Sequence, residues 1–221
     1  NDEGLVMAKQ TSQDYQITKA DILTSNGRVI DARSNIIELV LYESIERAFL
    51  TGTVLIVDTA NFVNQMKFTG TERMLIEVSN QDYDSSTREM TFFMTKISSS
   101  SKANDYTDAY VFQLLEEHAF YSRTQKLSRA YSGSPIKIIN QLLSGLKQDL
   151  SLDTSLMGED PVQQDMRVIT PYITPLQAVE WVRDRTTTSK GLPYFAYATI
   201  KKNNIMFKSL AEMLTVRPWN N

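Results

Sequence analysis

Tyr131-Ser132-Gly133-Ser134-Pro135-Ile136 opens an amphipathic run that continues to Lys147, and Ile173-Thr174-Pro175-Leu176-Gln177-Ala178-Val179-Glu180-Trp181 opens a second. Each predicts a helix whose first position is proline, where the missing N–H costs nothing because a first-turn amide has no helical partner. Ser134 and Thr174 stand just before those prolines, where a hydroxyl accepts a hydrogen bond from the first turn. Gln177, three residues after Thr174, completes the capping-box pattern. In the first helix Ile136, Ile139, Leu143 and Leu146 recur every three or four residues, with Leu142 widening the stripe, so one face is apolar. In the second, Ala178, Val179 and Val182 form the apolar side, Arg183 and Arg185 occupy the last turn where the helix dipole favours cations, and Trp181 reads as a packing anchor between two halves of the chain.

Working outward, Pro193 to Thr199 and Ile205 to Lys208 read as strands joined by a turn at Lys201-Lys202-Asn203-Asn204. Upstream the texture is strand throughout. Tyr15 to Leu23 and Arg28-Val29-Ile30 flank Asn26-Gly27, the residue pair best suited to a two-residue hairpin turn. The β-branched runs Ile36 to Ile45 and Gly52 to Asp58 read as central strands, and Phe62, Val63 and Met66 sit at helical spacing in a short segment expected to cap one end of a barrel. Arg73 to Ser79, Met90 to Ser98 and Ala109 to Leu115 are further strands, separated by loops at Asn80 to Thr87 and Ser98 to Thr107. Six or seven strands at this spacing predict a closed or split barrel. The expected class is therefore α+β: residues 1–14 form a polar arm, 15–125 a mainly antiparallel β-barrel domain, and 126–221 a smaller α+β domain with two Pro-capped helices. No internal repeat is visible.

The composition supports a folded chain, with 42% hydrophobic and 22% charged residues. With 23 Lys+Arg against 26 Asp+Glu the net charge is -3, which disfavours an electrostatic grip on a polyphosphate. Arg123, Lys126 and Arg129 make a local basic patch and Lys201-Lys202 a smaller one, both read as solvated faces. The absence of cysteine removes disulfides and thiolate chemistry and suits a reducing cytoplasm. No apolar run approaches the length of a membrane span, so a soluble chain without membrane insertion is expected. Its start at Asn1 rather than methionine suggests numbering that begins inside a longer gene product.

Catalytic patterns give little. His118 is the single histidine, and its neighbours Glu116 and Glu117, if on a strand, point to opposite faces and build no triad; His118 is expected to be structurally tolerated and silent as a general base. Asp105 and Asp108 lack the alternating acids, glycine and glutamate of a calcium loop. Ser132-Gly133-Ser134 has too little glycine to cradle a phosphate. Tyr106, Tyr110, Phe112, Phe120, Tyr121 and Tyr131 suit either a ligand groove or strand packing, and packing is the expectation. No catalytic, cofactor-binding or metal-binding residue is assigned, and no cofactor is expected.

Several of these elements, in order, resemble the baseplate hub and tail-hub proteins of contractile-tailed bacteriophages. They are Phe49 to Asp58 with Asn61 after it, Phe68-Thr69-Gly70-Thr71-Glu72, Ser128-Arg129-Ala130-Tyr131, the Ser-Pro helix, Ile173 to Ala178, and Pro193-Tyr194-Phe195-Ala196-Tyr197, and they cover roughly residues 35 to 215. The resemblance implies a tail-tube-like barrel and a non-enzymatic virion subunit, assembled in the host cytoplasm. It also implies a homotrimeric ring joining tail tube to central spike beside other baseplate subunits, with DNA passing transiently through the lumen. The channel would be lined by strands near Gly52 to Asp58 and Arg73 to Ser79, with Thr53, Glu72, Arg73 and Glu77 as polar residues. The family supplies two barrels per subunit, so a second is expected after Asn221. The alternatives are a carboxylate-dependent cell-wall glycan hydrolase and a peptide-binding β module.

Overall fold

The computed structural model describes residues 15–80, 84–104, 107–147, 150–154 and 165–215. The arm at residues 1–14, and with it Asp105 and Tyr106, lies outside them. The chain divides into two compact units, residues 1–38 with 54–112 and residues 39–53 with 113–221. The change of texture near residue 125 falls inside the second.

Seven strands form one large curled antiparallel sheet. They are β1 (Tyr15–Leu23), β2 (Val29–Asp31), β3 (Ile36–Tyr42), β4 (Thr51–Asp58), β5 (Glu72–Asn80), β6 (Asp84–Asn104) and β7 (Thr107–Glu116), in the order β2-β1-β5-β6-β7-β4-β3. The sheet is a half-barrel, consistent with the split form of the expected barrel. β1 and β2 make the predicted hairpin, but Leu23 pairs with Val29, so the connection runs from Thr24 to Arg28 and is not a two-residue turn; within it Gly27, at φ 83, donates to the Thr24 carbonyl at 2.9 Å. Three strand expectations fail, the first being the loop at Asn80 to Thr87, where Asp84 to Thr87 already belong to β6. β3 is an edge strand, not a central one: its apolar residues include Ile37 at 65% exposure. The segment Ser98 to Thr107 is mostly strand, because β6 runs unbroken to Asn104; Ser98 to Ser101 are polar because both faces of the strand meet solvent there.

In the first unit alternation sets the buried face. Met74, Ile76 and Val78 on β5, Ala20 and Ile22 on β1, and Phe92 and Met94 on β6 are buried, while Arg73, Leu75 and Glu77 face the other way and stay half-exposed. Phe68 and Phe112 meet at 5.3 Å between ring centroids. The helix α1 (Phe62–Met66) buries Phe62, Val63 and Met66 as predicted, bracketed by left-handed Asn61 (φ 56) and Lys67 (φ 51). Asp58 explains how five residues hold a helix: its buried carboxylate accepts from the amides of Ala60 (3.1 Å), Phe62 (3.0 Å) and Val63 (2.9 Å). Anions are favoured where first-turn amides point outward unsatisfied.

The second unit holds the helices α2 (Glu117–Arg123), α3 (Pro135–Ser144), α4 (Pro175–Arg183) and α5 (Leu210–Thr215). Ser134 accepts from Lys137 N–H at 3.3 Å, and Thr174 with Gln177 forms the full reciprocal capping box. Ile138, Ile139, Leu142 and Leu143 of α3 and Leu176, Ala178, Val179 and Val182 of α4 pack into one core, which also takes in Ala48, Leu115, Ala119 and Phe207. Arg185 lies past the end of α4 and donates to the Trp181 carbonyl at 2.8 Å, satisfying one of the helix's last acceptors. Trp181 is partly buried against this core, with the Arg185 guanidinium 3.8 Å above its ring.

Two small sheets complete the unit. β8 (Ala130–Gly133) pairs with β10 (Met166–Ile169), and β11 (Tyr194–Thr199), β12 (Lys202–Ser209) and β9 (Leu152–Asp153) lie side by side in that order. The β11–β12 turn is tighter than expected, with Thr199 opposite Lys202, so Lys202, Asn203 and Asn204 belong to the strand. No helix of the described residues is long and apolar enough to cross a membrane.

Candidate functional site

The carboxylates and imidazole around residue 117 do come together, in a structural arrangement. Glu116 ends β7, whereas Glu117 and His118 lie in the first turn of α2, which corrects the strand reading of those two residues. Glu116 accepts from Leu50 N–H at 2.6 Å, and buried His118 places Nε2 2.7 Å from the Ala48 carbonyl. A carbonyl only accepts, so Nε2 carries the proton. Nδ1 is 3.7 Å from Glu116, while Glu117 pairs with Lys147 at 3.2 Å. This set fastens residues 48–50 to α2. His118 thus has a buried structural partner that its sequence neighbours do not reveal.

The remaining candidates are placed as follows. Asp108 contacts the Tyr110 hydroxyl at 3.4 Å; burial first, then the charges of Asp108 and Asp58, push that phenol up from its usual range. No group of three or more His, Asp or Glu side chains among the described residues is arranged to hold a metal ion. The hydroxyl in Ser132-Gly133-Ser134 that could meet an anion is engaged as the α3 cap. Tyr110 and Phe112 are buried in the first unit, while Phe120, Tyr121 and Tyr131 pack on the core of the second. Arg123 ends α2, and Lys126 and Arg129 lie over the rings of Tyr172 and Tyr131 at 5.3 Å and 5.8 Å.

A cleft of about 450 Å³ in the second unit is lined by Glu46, Arg47, Glu180, Arg183, Asp184 and Tyr194, among others. Its charges satisfy one another: Arg183 donates to Asp184 (2.8 Å) and to the Glu46 carbonyl (3.1 Å). Burial raises the Glu180 carboxyl above the ordinary range, with Arg183 as the main opposing charge. It presents no pattern aimed at a ligand.

The feature that fits a function is the large sheet. On its less buried face the strands place Lys19 opposite Glu77 and Glu77 opposite Glu89, then Asp21 opposite Leu75 and Leu75 opposite Thr91. Thr53 and Arg73 share the half-exposed alternation. Glu72 does not: it is fully buried, and its carboxylate accepts from Thr69 N–H (3.1 Å), Thr69 hydroxyl (2.8 Å) and Gly70 N–H (2.9 Å). It holds the turn before β5, where Gly70 sits at φ 86 with the Thr95 carbonyl 3.0 Å from any added Cβ. The sheet's outer strands β2 and β3 expose Val29 (64%) and Ile37 (65%). Sequence alone does not separate edge from centre for such β-branched runs, because pairing partners lie far along the chain.

No protein-family model matches the chain, and no curated protein matches it by sequence. Solved structures do. The tail protein from Neisseria meningitidis MC58 superposes with a TM-score of 0.50 at 10% identity, over 87% of this chain and 50% of its own. The prophage MuSo2 43 kDa tail protein from Shewanella oneidensis gives 0.53 at 8% identity, over 86% and 54%. The chain thus spans about half the length of these structures. Its fold is that of phage tail proteins, in keeping with the resemblance carried by its ordered motifs.

Proposed function

We propose that this chain is a non-enzymatic structural subunit of a phage tail, located in the virion at the baseplate hub. It forms a homotrimeric ring that joins the tail tube to the central spike, among other baseplate subunits. In this reading residues 15–125 supply the hub barrel, residues 126–221 an α+β domain, and no residue is catalytic or binds a cofactor or metal. The observation that carries it is the curled seven-stranded sheet, which leaves β2 and β3 as edges with Val29 and Ile37 exposed. Open edges of this kind are protected by pairing with another chain, and closed symmetry removes them altogether.

The half-exposed face bearing Lys19, Asp21, Thr53, Arg73 and Glu77 carries both signs of charge. Such a mixed lining lets DNA pass without adhering. Tail-protein folds in two solved structures support the assignment. The test is symmetry analysis of purified particles with light scattering on the isolated protein. Three copies around the tail axis are expected, and a monomer in the particle, or a lumen built from the helical segment, overturns the reading.

A further inference from the structure

The second unit carries a two-stranded ribbon whose exposed side suits a partner. Gly133, Ser132, Tyr131 and Ala130 lie opposite Met166, Arg167, Val168 and Ile169, and a further bridge joins Leu127 to Ile173. Between ladder and bridge the second strand carries one extra residue. Buried Thr170 stitches the irregularity: its N–H donates to the Arg129 carbonyl (3.0 Å), its hydroxyl accepts from Arg129 N–H (3.0 Å) and lies 3.2 Å from the Leu127 carbonyl. The extra residue forces Tyr172 to φ 50 and leaves it 66% exposed. A tyrosine in the left-handed region costs about 1–2 kcal/mol, so the fold sustains strain to present this ring.

Around it the chemistry is consistent. Ile169 is 69% exposed, so two of the large apolar side chains most open to solvent lie within three residues of each other. Lys126 lies over Tyr172 and Arg167 stands on the exposed face beside Ile169, while Arg129 lies over Tyr131 on the opposite face. No ion pair joins any of these three cations to a carboxylate of the described residues. Among the described strands β10 hydrogen-bonds to β8 alone. A charge that merely guards an edge against aggregation is not normally flanked by exposed apolar groups.

We propose that the open edge of β10 binds an extended, acidic segment of a partner protein, which adds as a third strand. The strand's backbone pairs with β10, its carboxylates meet Lys126 and Arg167, and its apolar side chains, on the same face, cover Ile169 and Tyr172. Charge complementarity selects the acidic partner, and a backbone edge that pairs with no other described strand selects a polypeptide over a polyphosphate. The site lies wholly within the second unit and does not depend on ring formation.

The probe is a fluorescein-labelled Glu-Ser-Val-Ser-Glu-Ser-Val-Ser peptide, which presents Glu and Val on one face of a strand, titrated with the whole chain by anisotropy. Saturable binding is expected, weakening as salt shortens the reach of the charges. The double variant Lys126→Glu/Arg167→Glu should bind about tenfold more weakly or worse, while Arg28→Glu/Lys190→Glu, on other exposed loops, binds like the wild type. Methylating alternate peptide nitrogens should also weaken binding about tenfold, because strand addition needs those donors, and bound peptide should slow exchange of the 166–169 amides. Absence of saturable binding, indifference to N-methylation, or tighter competition by a single-stranded oligonucleotide each overturns the proposal. Circular dichroism of the variants confirms that loss of binding is not loss of fold.

Discussion

Lys208 on β12 is only 3% exposed, and its ammonium nitrogen makes no hydrogen bond. Burial pulls its pKa below the ordinary 10.5, opposed by Glu212 and then Asp153, with Lys202 adding to the depression. Lys208→Met should raise stability at neutral pH by about 1 kcal/mol or more, since an imperfectly compensated buried charge is replaced by a side chain of similar shape. The sign with pH follows from linkage. Between the lowered folded pKa and 10.5 the unfolded chain binds more protons, so wild-type stability rises with pH. The advantage of Lys208→Met in thermal melts therefore narrows toward pH 10.5; a constant or growing advantage contradicts this account. At His118 the opposite outcome is expected: His118→Ala leaves the Ala48 carbonyl without its donor and should cost about 1–3 kcal/mol in denaturant titrations. Thr174→Ala should cost roughly 1 kcal/mol while Thr174→Ser retains stability, because serine keeps the accepting oxygen. Equal loss in both points instead to the threonine methyl.

Elements here depend on a few short-range devices, and these divide what the sequence reveals from what it conceals. The helices α3 and α4 were legible because proline, a capping hydroxyl and a 3.6-residue stripe agree within one stretch of chain. The α1 helix was legible as well, but not the reason it persists: Asp58 lies before the helix on β4, and only the folded turn brings its carboxylate to three amides. Asp58→Ala should accordingly melt α1, at a cost of about 2 kcal/mol or more because the bonds are charge-assisted; hydrogen exchange at Phe62 and Val63 reads the loss directly. Glu72 was assigned to the wrong face because alternation cannot tell a buried carboxylate that caps a turn from an exposed one on a lining face. Gly52 is a contact that only three dimensions disclose: a Cβ there would lie 2.5 Å from the Val40 carbonyl and 2.8 Å from Leu41. Gly52→Ala should loosen β3 from β4, seen as faster amide exchange along Ile36 to Tyr42 with β1 and β5 unaffected. The Thr170 ribbon was invisible in sequence except for Pro171 beside a strand, a common sign of irregular pairing.

For the whole molecule the decisive question is what the open strands meet. Val29→Lys with Ile37→Lys should leave the fold intact, since both side chains are exposed, yet lower the mass seen by light scattering from three chains to one. Retained trimers would place the interface elsewhere. The antiparallel sheet and its approximate strand count were readable from alternation, whereas the order β2-β1-β5-β6-β7-β4-β3 was not, because nothing local records which strands are neighbours. The route of the chain has one more consequence. It passes between the two units along β3, β4 and β7, and the core containing α3 and α4 borrows Ala48, Leu115 and Ala119 from upstream. A gene fragment beginning at residue 126 would inherit both proline-started helices but not those three residues, so the segment is no interchangeable cassette. Recombination between related proteins should therefore preserve the upstream and downstream parts as one inherited block, and hybrids joined near residue 125 should yield insoluble protein unless both parents supply matching residues at 48, 115 and 119.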